Sequence, residues 1–176
     1  MILASKEENV REQIEGLTAP VWVSDVKTLD EAIQMIVAIG EMTKSNTQGE
    51  KIIKQIDFSL FAHLPKIKVA YLIWRKPYMT IGGDTFINEL LDRVGFENVF
   101  AEQKRYPVVS LDEIKERDPK YIFLSTEPFP FKEKFFKEFE HITTPILVDG
   151  EMFSWFGSRL TKASSYFAKL NRELGR

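Results

Sequence analysis

The sequence predicts an α/β sandwich built around a parallel sheet, and two observations support this class. Three unbroken runs of apolar, strand-forming residues occur at positions 69–74, 121–124 and 146–148. Such runs are typical of strands covered on both faces, as in a parallel sheet. Each run is followed, after a loop, by apolar residues at helical spacing, and alternation of strand and helix is characteristic of α/β folds.

The chain begins with short elements. Residues 2 and 3 look like the end of a strand, and Ser5 and Glu8 stand in the S-x-x-E relation of a capping box. This relation predicts a short helix that begins at Ser5. Residues 20–23 then predict a short strand.

Two helical patterns follow before position 65. Thr28 and Glu31 repeat the capping box at the start of a strongly apolar helical face. A second helical pattern covers residues 47–64 and is ended by Pro65. Because no linker rich in Gly, Ser or Pro separates this pattern from the next strand, it is typical of a stiff helical connector.

The second half alternates regularly. A helix with apolar positions over residues 86–94 ends at Gly95, where a left-handed residue is favoured. Ser110 and Glu113 form a third capping box, and the helix they open stops before Pro119. Further helices are predicted over residues 131–139 and 160–174.

Composition excludes several functions. The 176 residues are 44% hydrophobic, enough for a sizeable core. With 24 basic and 26 acidic residues, the chain has no electrostatic footprint for nucleic acid. Cysteine is absent, which rules out disulfides and cysteine-based metal sites. No apolar run reaches the roughly 18 residues of a membrane span, and the charged residues after Ala4 do not fit a signal peptide.

Aromatic residues collect in the loops that follow the three predicted strands. They are Trp74, Tyr78, Phe129, Phe131, Phe153, Trp155 and Phe156. Parallel strands end on one side of a sheet, so these loops should converge there and suit a large, partly flat, amphipathic ligand. The alternative is that many of them are core residues that cap the sheet, and for any single residue the two interpretations are balanced.

Gly82, Gly83 and Asp84 precede a predicted helix. Free backbone amides at a helix N-terminus can receive an anion. Since neither a dinucleotide nor a Walker pattern is present, the stronger interpretation is that the glycines permit a turn and Asp84 caps the helix.

These stretches together resemble one family, the substrate-binding proteins of ABC importers for cobalamin and iron chelates, in which a long helix joins two lobes. The resemblance rests on the strand at 69–74 with its loop, on a strand followed by STEP, and on the stretches GGDTFINELLDRVGFENVF, PVVSLDEI and DGEMFSWFGSR. It implies a binding protein and not an enzyme, without a cofactor, located in the periplasm or lipid-anchored outside the cytoplasm. The ligand would be a cobalamin-like corrinoid, haem or a ferric siderophore, and the residues do not select among them.

The resemblance also implies a domain organisation of two α/β sandwich lobes with parallel sheets. Residues 1–45 would form a partial first lobe, because family members carry a further segment before this point that nothing here matches. Residues 46–65 would form the long connecting helix, and residues 66–176 the C-terminal lobe.

In this family, aromatic and polar groups of both lobes line the cleft. Matched by position, the resemblance assigns ligand contacts to Trp74, Tyr78, Tyr106, Glu127, Glu151, Phe153, Trp155 and Arg159. Glu151 takes the place of an acidic residue that contacts the ligand in vitamin-binding members, and Glu127 lies at the cleft edge. Arg159 either joins this site or only caps a helix or pairs with Glu151.

Family members dock onto a membrane permease through an acidic residue on each lobe. On the second lobe the resemblance points to Asp112 and Glu113. Capping already explains Glu113, so Asp112 is the stronger candidate, although an acidic residue in the first turn of a helix is ordinary.

Two other function classes remain open. An α/β enzyme could use the same sheet edge with Glu127 or Glu151 as a general base, but no nucleophile motif or phosphate loop accompanies them. His63 and His141 lie far apart, without metal-ligand spacing. A lobe that binds only a protein partner would have no small-molecule affinity and would bind the permease in a salt-sensitive way through Asp112.

Overall fold

The chain forms an α/β structure with two sheets. The computed structural model describes residues 1–6, 9 and 11–176. The strands of this part are β1 (Ile2–Ser5), β2 (Val21–Ser24), β3 (Ile67–Trp74), β4 (Tyr78–Thr80), β5 (Phe96–Asn98), β6 (Val108–Val109), β7 (Tyr121–Ser125) and β8 (Thr144–Val148). The helices are α1 (Arg11–Glu15), α2 (Leu29–Met42), α3 (Asn46–Ile53), α4 (Phe86–Arg93), α5 (Leu111–Glu116), α6 (Gly150–Ser154) and α7 (Leu160–Glu173), with 3-10 turns at Ser59–Phe61 and Glu133–Glu138.

The larger sheet has six strands and is centred on β3. β7 pairs with one side of β3 and β8 with the far side of β7, and both pairings are parallel. On its other side, β3 pairs in parallel with β5 near its start and antiparallel with β4 near its end, and β6 pairs with β4. The sequence does not predict β4 and β6, because strands of three and two residues are too short to show an alternation.

Alternate residues of β3 enter two separate cores. Val69, Tyr71 and Ile73 pack with buried side chains of α2, α4, α6 and α7. Ala70 and Leu72 pack with α5 and with the segment around the 3-10 turn Glu133–Glu138. All five residues are buried, which confirms the prediction of a central strand covered on both faces.

Two of the three predicted capping boxes are confirmed. Thr28 Oγ1 accepts from the Glu31 amide at 3.2 Å while the Glu31 carboxylate accepts from the Thr28 amide at 3.0 Å. Ser110 Oγ accepts from the Glu113 amide at 3.1 Å and the Glu113 carboxylate accepts from the Ser110 amide at 2.6 Å. Gly95 has a φ of 91° just beyond α4, as its predicted role at the helix end requires.

The helix predicted to begin at Ser5 is wrong at its start. Ser5 is the last residue of β1 and pairs in parallel with Ser24 of β2, and Asn9, four residues further on, is not helical. The helix of this region is α1, which begins at Arg11. Glu8, the other member of the predicted capping box, lies outside the described residues.

The helical pattern over residues 47–64 gives a shorter helix than predicted. α3 ends at Ile53, and the following amides of Gln55 and Ile56 bond only three residues back. The Asp57 carboxylate then accepts from the Ser59 amide at 2.8 Å and starts a separate 3-10 turn. A side chain that bonds its own backbone two residues on competes with a helix, so this segment is a short helix followed by a turn and not one long helix.

The phenylalanines at 131–139 also differ from the prediction. The segment Glu133–Glu138 is a 3-10 turn and not an α-helix. Phe131 and Phe139 are buried in the second core, with Phe135 partly buried against it. The spacing of these phenylalanines therefore reflects their burial and not an α-helix. The backbone amides of Phe135 and Phe139 donate to carbonyls three residues back, as in a 3-10 turn. None of the helices in the described part of the chain is long and apolar enough to cross a membrane.

Candidate ligand-binding site

The loops after β3, β7 and β8 lie side by side at one edge of the sheet. These strands are neighbours in the order β3, β7, β8 and run parallel, so their carboxyl ends coincide. The Phe129 amide donates to the Ile73 carbonyl at 3.2 Å, and the Thr126 amide to the Val148 carbonyl at 3.0 Å. Gly150 also donates its amide to Thr126 Oγ1 at 3.0 Å. The three loops are therefore joined to one another by hydrogen bonds.

The loop after β8 presents Trp155. Its side chain is 54% exposed, and the indole Nε1–H donates to Glu127 Oε1 at 2.9 Å. The same oxygen accepts from Ser154 Oγ at 2.7 Å. Glu127 belongs to the loop after β7, so one carboxylate oxygen joins two of the three loops.

Glu151 and Arg159 form an ion pair in the same region. Arg159 Nη2 contacts Glu151 Oε2, and the two side chains are 34% and 35% exposed. The guanidinium of Arg159 also lies 5.8 Å from the Trp155 ring centroid. Arg159 precedes α7 but makes no side-chain capping bond. Of the roles considered for Arg159, the structure shows the pairing with Glu151 and not the helix cap.

The loop after β3 is held by a polar cluster that the sequence does not predict. Arg75 binds Glu138 with two hydrogen bonds, from Nε at 2.9 Å and Nη2 at 2.8 Å. Tyr78 donates its hydroxyl to Glu138 Oε2 at 2.5 Å. The hydrogen bonds from Arg75 lower the pKa of Glu138, and burial together with the adjacent carboxylate raises the pKa of Tyr78 to about 12.

Tyr78 therefore has a structural partner, whereas Trp74 presents a free surface. The Tyr78 ring packs edge-on against Phe139, 5.4 Å between centroids, and its hydroxyl is engaged by Glu138. Trp74 is 40% exposed and packs edge-on against Phe129 at 5.9 Å. Trp74 and Trp155 are thus the large exposed aromatic residues among the strand-end loops.

Phe153 is not at the surface, and its prediction as a ligand contact is wrong. It is fully buried and packs against Tyr71 at 5.1 Å and Phe167 at 4.8 Å between ring centroids. α6 begins at Gly150, so position 153 falls on its inner face. Phe131 is a core residue in the same way, with 2% of its surface exposed.

Tyr106 lies on a loop that is fixed by the two glycines of the GGD stretch. The Gly82 and Gly83 amides donate to the carbonyls of Arg105 and Gln103 at 2.7 and 3.0 Å. A Cβ at either glycine would overlap a backbone carbonyl of this loop. Neither glycine amide is therefore free to receive an anion, and the glycines serve a close approach of two backbones.

Asp84 does not cap the helix, contrary to the prediction. Its Oδ1 accepts from the Arg105 amide at 2.6 Å. The N-cap of α4 is Thr85, whose Oγ1 accepts from the Asn88 amide at 3.2 Å. Asp84 is therefore another tie to the loop that carries half-buried Tyr106, and the Arg105 guanidinium lies 5.3 Å from the Tyr106 ring centroid.

The loop of Tyr106 lies near the strand ends of the small sheet. The pKa of Asp25, which follows β2, is lowered mainly by the hydrogen bond from Lys6 and further by the charges of Lys27 and Arg105. The charge of Arg105, on the loop of Tyr106, thus acts on the carboxylate at the end of β2.

Asp112 and Glu113 are exposed on the first turn of α5. The amide of Ser110 holds the pKa of Glu113 below its usual range, as expected for a capping carboxylate. Asp112 has no such structural role, so docking through Asp112 stays a prediction.

Nothing in the described residues favours catalysis. No group of three or more His, Asp or Glu side chains in this part of the chain could hold a metal ion, and both histidines are exposed. Glu127 is engaged by Ser154 and Trp155. The contacts that sequence reasoning missed, those of Glu138 and Ser154, join residues up to 63 positions apart and leave no local pattern. The sequence held one sign of a close approach between these loops, the glycine at position 150 directly after a strand and an aspartate.

A sheet edge that presents exposed aromatic side chains with a few polar groups, and no catalytic constellation, is typical of a protein that binds a small molecule. The model of the periplasmic binding protein family matches residues 1–141, and the chain belongs to this family. The matched family and the relatives are binding proteins, in agreement with the expectation that the chain is not an enzyme.

Relatives with known names support the same class. The chain is 26% identical over 121 residues to the vitamin B12-binding protein of Vibrio parahaemolyticus, a match that covers 65% of this chain and 44% of that protein. The chain thus spans less than half the length of that curated relative.

Solved structures share the fold. A possible iron-binding, periplasmic solute-binding protein of Staphylococcus epidermidis has a TM-score of 0.76 and 22% identity, over 99% of this chain and 76% of that chain. The periplasmic vitamin B12-binding protein of Vibrio cholerae has a TM-score of 0.75 and 18% identity, over 97% of this chain and 74% of that chain.

Proposed function

We propose that this chain is part of the solute-binding protein of an ABC importer, and that it binds a cobalamin-like corrinoid or an iron chelate at the edge formed by the strand-end loops. One observation carries the proposal. In a chain of the periplasmic binding protein family, Trp74 at the end of β3 and Trp155 in the loop after β8 are exposed at the carboxyl ends of parallel strands that flank β7. Exposed aromatic faces at such an edge suit a large planar ligand.

The ligand class is proposed from the relatives and from the chemistry of the site. The Vibrio relative is named for vitamin B12 and the Staphylococcus structure for iron binding, and a corrin ring or an organic iron chelate offers the apolar surface that exposed aromatic side chains contact. In this proposal Trp74 and Trp155 provide the apolar contacts. Glu151 and Arg159 offer hydrogen-bonding groups beside them, since their ion pair is a third exposed.

In this proposal Tyr106 contacts the ligand from another side of the site. Its loop lies near the end of β2 and is braced by Gly82, Gly83 and Asp84. The proposed site therefore lies between the strand ends of the large sheet and those of the small sheet. The division into a first lobe at 1–45, a connector at 46–65 and a second lobe at 66–176 belongs to the same proposal.

Delivery to a membrane permease completes the proposed function. Asp112 is exposed on the first turn of α5 and, unlike Glu113, takes no part in the capping box. We assign docking to Asp112 and a capping role to Glu113. The protein would act outside the cytoplasm, in the periplasm or attached to a membrane by a lipid.

The proposal is tested by titration with three ligands in parallel: cyanocobalamin, ferric haem and a ferric hydroxamate siderophore. Quenching of tryptophan fluorescence, corrected for ligand absorbance, gives a first affinity, and calorimetry confirms the stoichiometry. Saturable binding of one molecule per chain by one of these ligands is the expected result. If none binds while the chain still associates with a permease in a salt-sensitive way, the hypothesis of a lobe that binds only a protein partner is correct instead.

A further inference from the structure

Trp155 is held by contacts on its edge and near one face, while more than half of its side chain remains accessible. The indole Nε1–H donates to Glu127 Oε1 at 2.9 Å, and the Arg159 guanidinium lies 5.8 Å from the ring centroid. Trp155 is the C-cap residue of α6, and its amide donates to the Glu151 carbonyl at 3.2 Å, which holds its backbone but leaves the direction of the indole to side-chain contacts. The bond to Glu127 therefore constrains the indole from outside its own loop.

Glu127 is itself anchored by buried groups. The Tyr71 hydroxyl donates to Ser125 Oγ at 3.1 Å, and Ser125 Oγ donates to the Glu127 carbonyl at 2.6 Å. Tyr71 and Ser125 are buried, and burial raises the pKa of the Tyr71 hydroxyl, so the phenol remains a donor at neutral pH. This chain of bonds fixes the backbone from which the Glu127 side chain extends.

Gly150 lets the two loops approach closely enough for this bond. A Cβ at position 150 would lie 2.5 Å from Glu127 Cγ and would also overlap Ser125 Oγ. The Gly150 amide donates to Thr126 Oγ1 at 3.0 Å. The absence of a side chain at position 150 therefore leaves the room through which the Glu127 carboxylate reaches Ser154 and Trp155.

We infer that Glu127 is a positioning residue, which acts on the ligand through Trp155 by fixing the indole plane before the ligand arrives. The inference rests on the proposed function. It differs from a direct ligand contact, the role that the position of Glu127 at the cleft edge suggests. Holding a side chain in its bound orientation raises affinity because the cost of ordering it is removed from the binding step.

A double-mutant cycle separates the two roles. Wild type, Glu127→Ala, Trp155→Ala and the double variant are titrated by calorimetry with whichever of cyanocobalamin, ferric haem and the ferric hydroxamate binds wild type. We expect Glu127→Ala to raise Kd about tenfold relative to wild type. In the Trp155→Ala background the same substitution should raise Kd less than about twofold. Glu127→Gln should stay within about threefold of wild type, because its amide oxygen still accepts from the indole.

An equal increase in Kd in both backgrounds would overturn the inference, because a direct contact does not depend on Trp155. Glu89→Ala is the matched control: it removes a carboxylate of similar exposure that pairs with Arg93 on α4, outside the site. It should leave Kd unchanged. Thermal unfolding of every variant shows whether the chain remains folded at the temperature of the titration.

A second readout needs no ligand. In the Trp22→Phe, Trp74→Phe background, Trp155 is the only tryptophan, since the chain has three. Glu127→Ala should then lower the fluorescence anisotropy of Trp155 and increase its quenching by acrylamide, and Glu127→Gln should do neither. Unchanged anisotropy in Glu127→Ala refutes the positioning role, whereas failure of all three ligands to bind wild type refutes the proposed function alone.

Discussion

Phe153 and Trp155 are two residues apart, and the structure predicts opposite consequences for truncating them. Phe153 is fully buried and packs against Tyr71, Phe123 and Phe167. Replacing a buried Phe by Ala costs about 3–5 kcal/mol of unfolding free energy. For a chain of this size such a loss lowers Tm by roughly 6–20 °C. Phe153→Ala should therefore be strongly destabilised.

Trp155→Ala should cost much less stability. More than half of the Trp155 side chain is exposed, and the hydrogen bond it would lose goes to a carboxylate that water can also reach. The net loss for one such bond is about 1 kcal/mol, which lowers Tm by only about 2–4 °C. Ligand affinity is expected to change in the opposite order, with a large loss for Trp155→Ala.

Urea unfolding followed by circular dichroism measures both variants, since the signal does not depend on the tryptophans alone. Phe153→Leu, which keeps most of the apolar volume and should cost about 1 kcal/mol, remains measurable if Phe153→Ala is too unstable to study. Equal losses of unfolding free energy for Phe153→Ala and Trp155→Ala would refute the assignment of one residue to the core and the other to the site.

Three further predictions concern the loops that support the site. Glu138→Gln should cost about 0.5–1 kcal/mol of unfolding free energy at pH 7, because Arg75 loses a charged partner that is partly shielded from water; a cost below about 0.2 kcal/mol in urea unfolding would contradict this. The pKa of Glu138 is lowered in the folded protein, so its contribution is complete above the unfolded pKa of about 4.3 and is lost as the pH falls through the folded value. The difference between wild type and Glu138→Gln should accordingly shrink between pH 7 and pH 3, and an unchanged difference would show that charge plays no part. Gly83→Ala should destabilise the chain, because its Cβ would overlap the carbonyl of Ala101, and a Tm equal to that of wild type would show that this loop is not held there.

Periodic patterns predicted three of the six strands of the large sheet. The apolar runs at 69–74, 121–124 and 146–148 became β3, β7 and β8, because burial on both faces leaves an unbroken pattern in the sequence. The helix over 47–64 was predicted too long, since the bond from the Ser59 amide to Asp57 ends the pattern locally. The antiparallel strands β4 and β6 were missed because their extended backbone depends on pairing with neighbouring strands. Their own residues show no strand pattern.

The sequence predicted where the candidate site would lie, but not which of its side chains contact each other. Strand order put the three loops together, but for any one aromatic residue, Trp74 and Trp155 included, the sequence left exposure and burial balanced. Periodicity did not separate Phe153 from Trp155, because α6, which buries Phe153 and ends directly before Trp155, is only five residues long. The bond between Glu127 and Trp155 joins residues 28 positions apart, and no sequence pattern encodes such a pair.

The central claim is that the strand-end loops bind the ligand, and the comparison of wild type with Trp155→Ala in one calorimetric titration tests it most directly. We expect wild type to bind one molecule of cyanocobalamin, ferric haem or the ferric hydroxamate per chain. Trp155→Ala should raise the Kd at least about tenfold, as is usual for a tryptophan central to a binding site, while the variant unfolds at nearly the same temperature. Binding of the same ligand with unchanged affinity by a folded Trp155→Ala variant would place the ligand elsewhere and contradict the claim.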